Sequence, residues 1–270
     1  MTVVPAFVRA QGEIRASFAA LAGRTHVERV FETGGLRLRY PNVARGCEAV
    51  IVNTGGGVAG GDQALYDFVA GAGSDVVVTT QSAEKVYRAQ AGSAEINVSL
   101  RLHEGAALAW LPQETIMFSG ARLRRRFDAD VCADASLTIV EALVFGRLAM
   151  GELIVEGSLH DRWRIRRDRA LIFAEELRIE DDITGILDRP AVGRKGRATA
   201  MLLHVAPDAE SQLEAVREAL HAAPCEWGAS AWNGMLTARF ISPVPEMQRA
   251  AIVLALGALR GVAPPRVWQA

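Results

Sequence analysis

The sequence is short of several things that most function classes require. Only Lys85 and Lys195 are lysines; arginine supplies the remaining basic charge against nearly equal acid, and the formal net charge of the 270 residues is −1. That balance argues against nucleic acid or an anionic membrane as the principal partner. The three cysteines, Cys47, Cys132 and Cys225, are odd in number and far apart, which suits a reducing, cytoplasmic setting better than a disulfide framework. The five histidines (His26, His103, His160, His204 and His221) occur singly, with no His-x-His, Cys-x-x-Cys or His-Glu-x-x-His. A zinc set of the usual close spacing is therefore not expected. The Gly-x-Ser-x-Gly nucleophile elbow is missing too, which removes support for that class of hydrolase. The longest strongly apolar run, Ala250–Leu259, is half of the ~20 residues a membrane span needs. Met1–Phe7 lack the basic start and long apolar core of a signal peptide. Aromatics make up 6% of a chain that is 50% hydrophobic, so the core must be mostly aliphatic.

What is abundant is glycine between apolar runs. Gly55, Gly57 and Gly60 satisfy the G-x-G-x-x-G spacing behind Ala49-Val50-Ile51-Val52. In a dinucleotide fold such glycines let backbone amides meet a pyrophosphate at a helix N-terminus. The continuation speaks against it. Residues 63–71 alternate as readily as they follow a helical period, Gly71-Ala72-Gly73 closes the segment early, and Val76–Thr80 ends in Gln81 where an acid is expected.

An internal repeat decides between the two periods. Ala72–Thr80, Glu104–Pro112 and Ala133–Glu141 align without gaps, with Gly73 and Gly105 32 residues apart and Gly105 and Asp134 29 apart. Each is a turn of small residues leading into an apolar strand. An alternating strand precedes each one: Tyr66, Phe68, Ala70; then Val98, Leu100, Leu102; then Phe127, Ala129, Val131. Alternation of that length predicts one buried face and one wet face, as in an antiparallel sheet. A period near thirty predicts hairpin-like units stacked side by side, a mainly β, solenoid-like architecture.

Helices are expected only in the C-terminal third. Asp208 can cap a helix over 209–222, with Leu213, Val216 and Leu220 inward and Pro224 as its stop. A second is expected from Pro245 to Leu259, ending before Gly261, with Met247, Ala251, Leu254 and Ala258 as its buried stripe. Its other faces are apolar as well, so it is buried in its own fold or against a partner. Glu141 ends the third repeat strand in register with Thr80 and Pro112, and Glu175-Glu176 interrupt the apolar strand Leu171–Ala174. Such carboxylates face solvent, or else mark a polar cavity or an arginine partner. The runs Arg122–Arg126 and Arg162–Arg167 read first as solvent faces of strands and second as a protein-docking surface. From the residues alone, a β-rich small-molecule or nucleotide-binding domain using the Gly55–Gly61 loop stays open.

An ordered set of motifs goes further. Asn53-Thr54-Gly55-Gly56-Gly57-Val58 and Gly60-Gly61-Asp62 are followed by Thr79-Thr80-Gln81 and Lys85-Val86-Tyr87-Arg88. Trp110-Leu111-Pro112-Gln113-Glu114-Thr115-Ile116, Phe118, Gly120-Ala121, Gly146-Arg147 and Gly151-Glu152 come next, and Pro265-Arg266-Val267-Trp268 closes the series. In this order the chain resembles the urease accessory protein UreD (UreH) family over nearly its whole length, as a single domain of residues 1–270. The resemblance implies a non-enzymatic maturation factor with a β-solenoid-type scaffold and two helices. It implies binding to the urease apoprotein, recruitment of UreF and through it the GTPase UreG, and room for self-association within the complex. It also implies GTP-dependent insertion of nickel that reaches urease through a water-filled passage. Asp62, Thr80, Ser82, Glu141 and Glu175 are the candidate polar groups along that passage. No tightly bound cofactor is expected; Ni²⁺ would be transient cargo, met by oxygen ligands and water that hold it weakly.

Overall fold

The computed structural model describes residues 9–269; the reading of Met1–Phe7 lies outside them. The chain begins with β1 (Gln11–Leu21), β2 (Arg24–Thr33), β3 (Leu36–Arg39) and β4 (Cys47–Asn53). Then follow β5 (Gln63–Ala70), β6 (Asp75–Thr80), β7 (Glu84–Val86), β8 (Ala94–Leu102), β9 (Ala107–Leu111), β10 (Thr115–Met117), β11 (Arg122–Val131) and β12 (Ser136–Phe145). The last part comprises β13 (Ser158–Arg167), β14 (Ala170–Glu180), α1 (Ile183–Asp188), β15 (Ala198–Val205), α2 (Leu213–Leu220), β16 (Glu226–Trp232), β17 (Met235–Ser242) and α3 (Pro245–Arg260).

The repeat is real, but its unit is a coil and not a hairpin. The two strands around each turn belong to different sheets: β5 leads to β6, β8 to β9 and β11 to β12 across the interior. Successive copies then pair in parallel, β5 with β8 with β11 in one sheet and β6 with β9 with β12 in the other. The short strands β7 and β10 pair with each other and β10 with the end of β12, all in parallel. Alternation could not tell these arrangements apart, because a solenoid wall has one dry and one wet face whatever its strand direction. Between strands, antiparallel pairing is found at the flanks, where β2, β14, β3 and the β15–β17–β16 group extend the sheets; a single antiparallel bridge, Arg88 with Ala121, lies among the coils.

The turns carry the register. The Ala107 amide donates to the Ser74 carbonyl at 2.7 Å, and the Ser136 amide to the Ala106 carbonyl at 2.8 Å. Inward residues of both sheets form one core, in which Phe18, Phe68, Trp110, Phe127, Trp163 and Phe173 make a continuous aromatic column with ring centroids 5.1–6.5 Å apart. Few aromatics suffice because the coils stack them in one file. A second core lies on the other face of the β12 sheet, under α2 and α3.

The segment between β4 and β5 is a loop with no helix after it. Its glycines admit the chain's own atoms: a Cβ on Gly60 would lie 2.6 Å from Ala89 Cβ, and one on Gly57 would lie 2.4 Å from the Tyr87 ring. The late helices differ from expectation in detail. Residues 209–212 form a 3₁₀ turn and the α-helix starts only at Leu213; the Asp208 side chain caps nothing and accepts from Gln212 Nε2 at 3.2 Å. Helix α3 buries Gln248, Ala251, Ile252, Ala255 and Leu256, while Met247 is 40% exposed. Its stripe is turned from the expected one because it packs on α2 as well as on the sheet, in a single apolar cluster.

Gly60→Ala should destabilise the protein by roughly 1–3 kcal/mol through overpacking, a fall of about 2–4 °C in Tm per kcal/mol for a chain of this size. Gly228 in β16 has no atom within 4 Å of a built Cβ, so Gly228→Ala should leave the circular-dichroism melt unchanged or raise it. Equal melts for the two variants would contradict the packing role of the loop.

Candidate functional site

Three inward positions of the solenoid wall are occupied by ionisable groups. Arg125 lies between Leu123 and Phe127 in β11, Asp161 between Leu159 and Trp163 in β13, and Glu141 beyond Leu137 and Ile139 in β12, all in phase with core residues. The expectation that Arg122–Arg126 line a solvent face thus fails at Arg125, whose side chain is 3% exposed. Glu141 does not end its strand, since β12 continues to Phe145. Register explains both: Arg125 pairs across from Asp161 in the parallel ladder, and the β12 strand carries Glu141 past the end of β9.

The three charges form one network. Arg125 donates through Nε and Nη2 to both oxygens of Asp161, the first bond at 3.0 Å, and through Nη1 to Glu141 Oε2. The second carboxylate oxygen of Glu141 accepts from Trp110 Nε1 at 2.7 Å, and Asp161 Oδ1 accepts from Trp163 Nε1 at 3.2 Å. The aromatic column therefore supplies hydrogen bonds as well as packing. Burial pushes Glu141 above the ordinary carboxylate value; Arg125 and the Trp110 bond oppose this and Asp161 adds to it. Burial would lower Arg125, but its two carboxylates outweigh that and hold it above the ordinary guanidinium value.

Beside the network is a cavity of ≈ 480 Å³ between the sheets, lined among others by Arg125, Glu141, Asp161, Trp163, Glu175 and Arg239. Glu175 in β14 pairs with Arg239 in β17, so an ion pair links the two sheets where their side chains reach solvent. Of the passage candidates, Glu141 and Glu175 thus share one cavity. Thr80 and Ser82 line a separate cleft of ≈ 60 Å³ with Asn53 and Glu84. There Thr80 Oγ1 accepts from the Gln113 amide at 2.9 Å. Glu84 accepts from Asn53 Nδ2 at 3.1 Å, and burial pushes its carboxyl up. Asp62 lines neither space; it ties the glycine loop by accepting from the Ala59 and Ala10 amides at 2.7 and 2.9 Å. The sequence reading missed Arg125, Asp161 and Arg239. The first two had a signal in their phase, since each alternates with large apolar residues that must face in.

The other motif residues are mostly joints of the fold. Asn53 Oδ1 accepts from the Gly55 amide at 3.0 Å, and Tyr87 donates to the Gly56 carbonyl at 2.9 Å. Gln113 Nε2 donates to the Gln81 and Val267 carbonyls, and Arg249 of α3 is bidentate to Glu114 and also donates to Gln113 Oε1. Trp268 Nε1 donates to the Leu111 carbonyl at 3.1 Å. The Trp110–Glu114 stretch and the Pro265–Trp268 ending are thus two sides of one clasp. Arg88 is 3.6 Å from Glu156, while Lys85 presents its backbone carbonyl to the Val58 amide.

Arg125→Leu should cost roughly 3–5 kcal/mol in urea denaturation, because two buried carboxylates lose their counter-charge. Adding Glu141→Gln and Asp161→Asn should recover most of it. Glu141→Gln alone keeps an acceptor for Trp110 and should cost far less. The raised carboxyl of Glu141 favours folding below the ordinary value of 4.5 and loses that contribution as pH rises through its folded value. Wild-type stability relative to Glu141→Gln should therefore fall as pH rises above about 4.5; a difference that rises with pH would contradict the assigned direction.

Comparison with known proteins then places the chain. The family model described as UreD urease accessory protein matches residues 10–269. The chain is 50% identical over 260 residues to the urease accessory protein UreD of Xanthobacter autotrophicus, covering 96% of this chain and 90% of that one. It is 48% identical over 264 residues to UreD of Beijerinckia indica (96% and 97% covered) and 44% over 269 residues to UreD of Azorhizobium caulinodans (99% of each). With a family-model match over nearly its full length and relatives up to 50% identical across it, this chain belongs to the UreD family of urease accessory proteins and has a role in urease maturation.

Proposed function

We propose that the protein is a non-catalytic, cytoplasmic scaffold that binds apo-urease, recruits UreF and through it the GTPase UreG, and supports GTP-dependent nickel insertion. The inter-sheet cavity serves as a polar section of the nickel route. The observation that supports this most directly is the buried Glu141–Arg125–Asp161 network at the wall of a cavity between the two sheets. A buried ion network is weak as a stabilising device, since desolvation offsets much of the Coulomb gain. Groups of this kind cluster where a protein handles charge. Oxygen ligands and water suit a cation that must leave again. Because Arg125 already compensates both carboxylates, a passing divalent cation gains attraction only as that guanidinium shifts aside.

Replacing Glu175 or Glu141 by alanine should preserve the fold, since Arg125 keeps Asp161 in the second case. Urease activation reconstituted with UreF, UreG, GTP and Ni²⁺ should fall by about tenfold, the factor that ~1.4 kcal/mol of lost attraction gives. Glu141→Phe should impair activation more, by filling the cavity. Asp62→Ala is a different case: it removes the acceptor of two backbone amides and should lower Tm. Wild-type activation by Glu141 and Glu175 variants that still bind UreF and apo-urease would remove the cavity from the route and leave a docking scaffold.

Helices α2 and α3 are the proposed UreF-facing surface, or a contact with a second copy. Their residues 213–220 and 245–260 should gain protection from amide exchange when UreF is added. Met247→Asp, at an exposed apolar position of α3, should weaken UreF binding by about tenfold, equivalent to ~1.4 kcal/mol. Unchanged exchange in both helices would refute this placement.

A further inference from the structure

A second cavity, of ≈ 460 Å³, lies on the helix-bearing side of the β12 sheet. Its floor is the outer face of β6, β9 and β12, made of small side chains such as Ala109, Ser136 and Thr138. Its roof is the chain from Leu259 to Arg266, held down because the clasp fixes Trp268 just beyond it. The volume is that of a small-molecule site, and the urease-maturation reading gives it no task.

Two features show what it would hold. His204 in β15 stands opposite Thr138 in the ladder, with Nδ1 2.9 Å from Thr138 Oγ1. The residue is 5% exposed, and its other ring nitrogen, Nε2, is buried without a partner. A buried polar atom left unpaired is costly, and His204 lines the cavity wall, so a small shift of its ring would bring Nε2 to a ligand's polar atom. The second feature is charge. The rim carries Arg45, Arg260 and Arg266 against Glu48 and Asp75. Arg45 is bound to Asp75 at 3.1 Å, whereas Arg260 and Arg266 sense Glu48 through space without a close ion pair among the described residues. One guanidinium more than the carboxylates require is left at the opening, and guanidinium favours bidentate oxyanions.

We propose that this cavity binds a small organic oxyanion, its carboxylate or phosphate group held by Arg260 and Arg266 and its body over the Ala109–Thr138 floor, with a polar atom on His204 Nε2. The assignment gives Arg266 of the C-terminal motif a role that the clasp leaves open, since its neighbours Val267 and Trp268 make the clasp contacts.

The test uses the full chain, with inorganic phosphate and succinate as probes at constant ionic strength. Calorimetry reads affinity, and the ¹⁵N resonance of His204 Nε2 reports the site. Saturable displacement of that resonance by phosphate alone would identify a phosphate site, and by succinate alone a carboxylate site. Arg266→Gln, at an exposed position, should leave Tm unchanged and weaken binding about tenfold, and Arg260→Gln should weaken binding to the same extent. Glu48→Gln should tighten binding several-fold by removing a like charge, a gain that misfolding cannot mimic. The proposal is overturned if neither probe moves His204 saturably, or if the three variants bind as the wild type does.

Discussion

Parallel stacking of the coils in register is the constraint on which everything else rests. Once the Ser74–Ala107 and Ala106–Ser136 bonds fix one turn over the next, each inward position is committed to the same file as its neighbours above and below. One such file runs Tyr66, Val98, Phe127 and Trp163, and Trp110 reaches in from the facing sheet to bridge it to Phe68. The same rule forces Arg125 and Asp161 into the interior, because moving either outward by one residue would expose every apolar partner in its strand. The network is therefore imposed by register, and the cavity opens where this polar level leaves space unfilled by side chains.

Much of this was legible in the sequence. The strand content, the turn positions and the loop character of the glycine segment followed from the three aligned repeats. Strand direction did not, because burial pattern reports which face is dry and not which way the neighbour runs. The Arg125 network joins residues up to 36 apart and the aromatic column residues up to 50 apart, and only the register of the stacked coils brings them together. Glu141 and Glu175 could be suspected as carboxylates inside apolar strands. Asp62 looked similar by type, yet the backbone amides that occupy it belong to the nearby loop and to the start of the described chain, a local fact invisible to motif spacing.

The helices illustrate a different limit. Pro245 in the first turn and Gly261 in the left-handed region mark α3 as composition suggests, but an element apolar nearly all round carries no phase for choosing its buried stripe. Packing on α2 chose it. The clasp then ties that helix to the solenoid: Arg249 reaches Glu114, Gln113 and the Trp268 carbonyl together. Motifs from the middle and the C-terminal end of the sequence are one mechanical unit, so the C-terminal residues bear on the second core as directly as on their own turn.

On the proposed nickel route, the electrostatics of the inter-sheet cavity narrow what it can do with a cation. Two carboxylates alone would bind a divalent ion and retain it. Arg125 converts them into a compensated set whose affinity for a second cation is low, while Trp110 and Trp163 keep both acids oriented. On that proposal such a site would not store metal, yet it would lower the barrier that an apolar wall presents to a hydrated ion. Glu175, partly exposed and paired with Arg239, repeats the arrangement nearer solvent. Two compensated carboxylate sites of graded burial on one cavity would suit the proposed transfer, in which no single position holds the ion long enough to compete with the final acceptor.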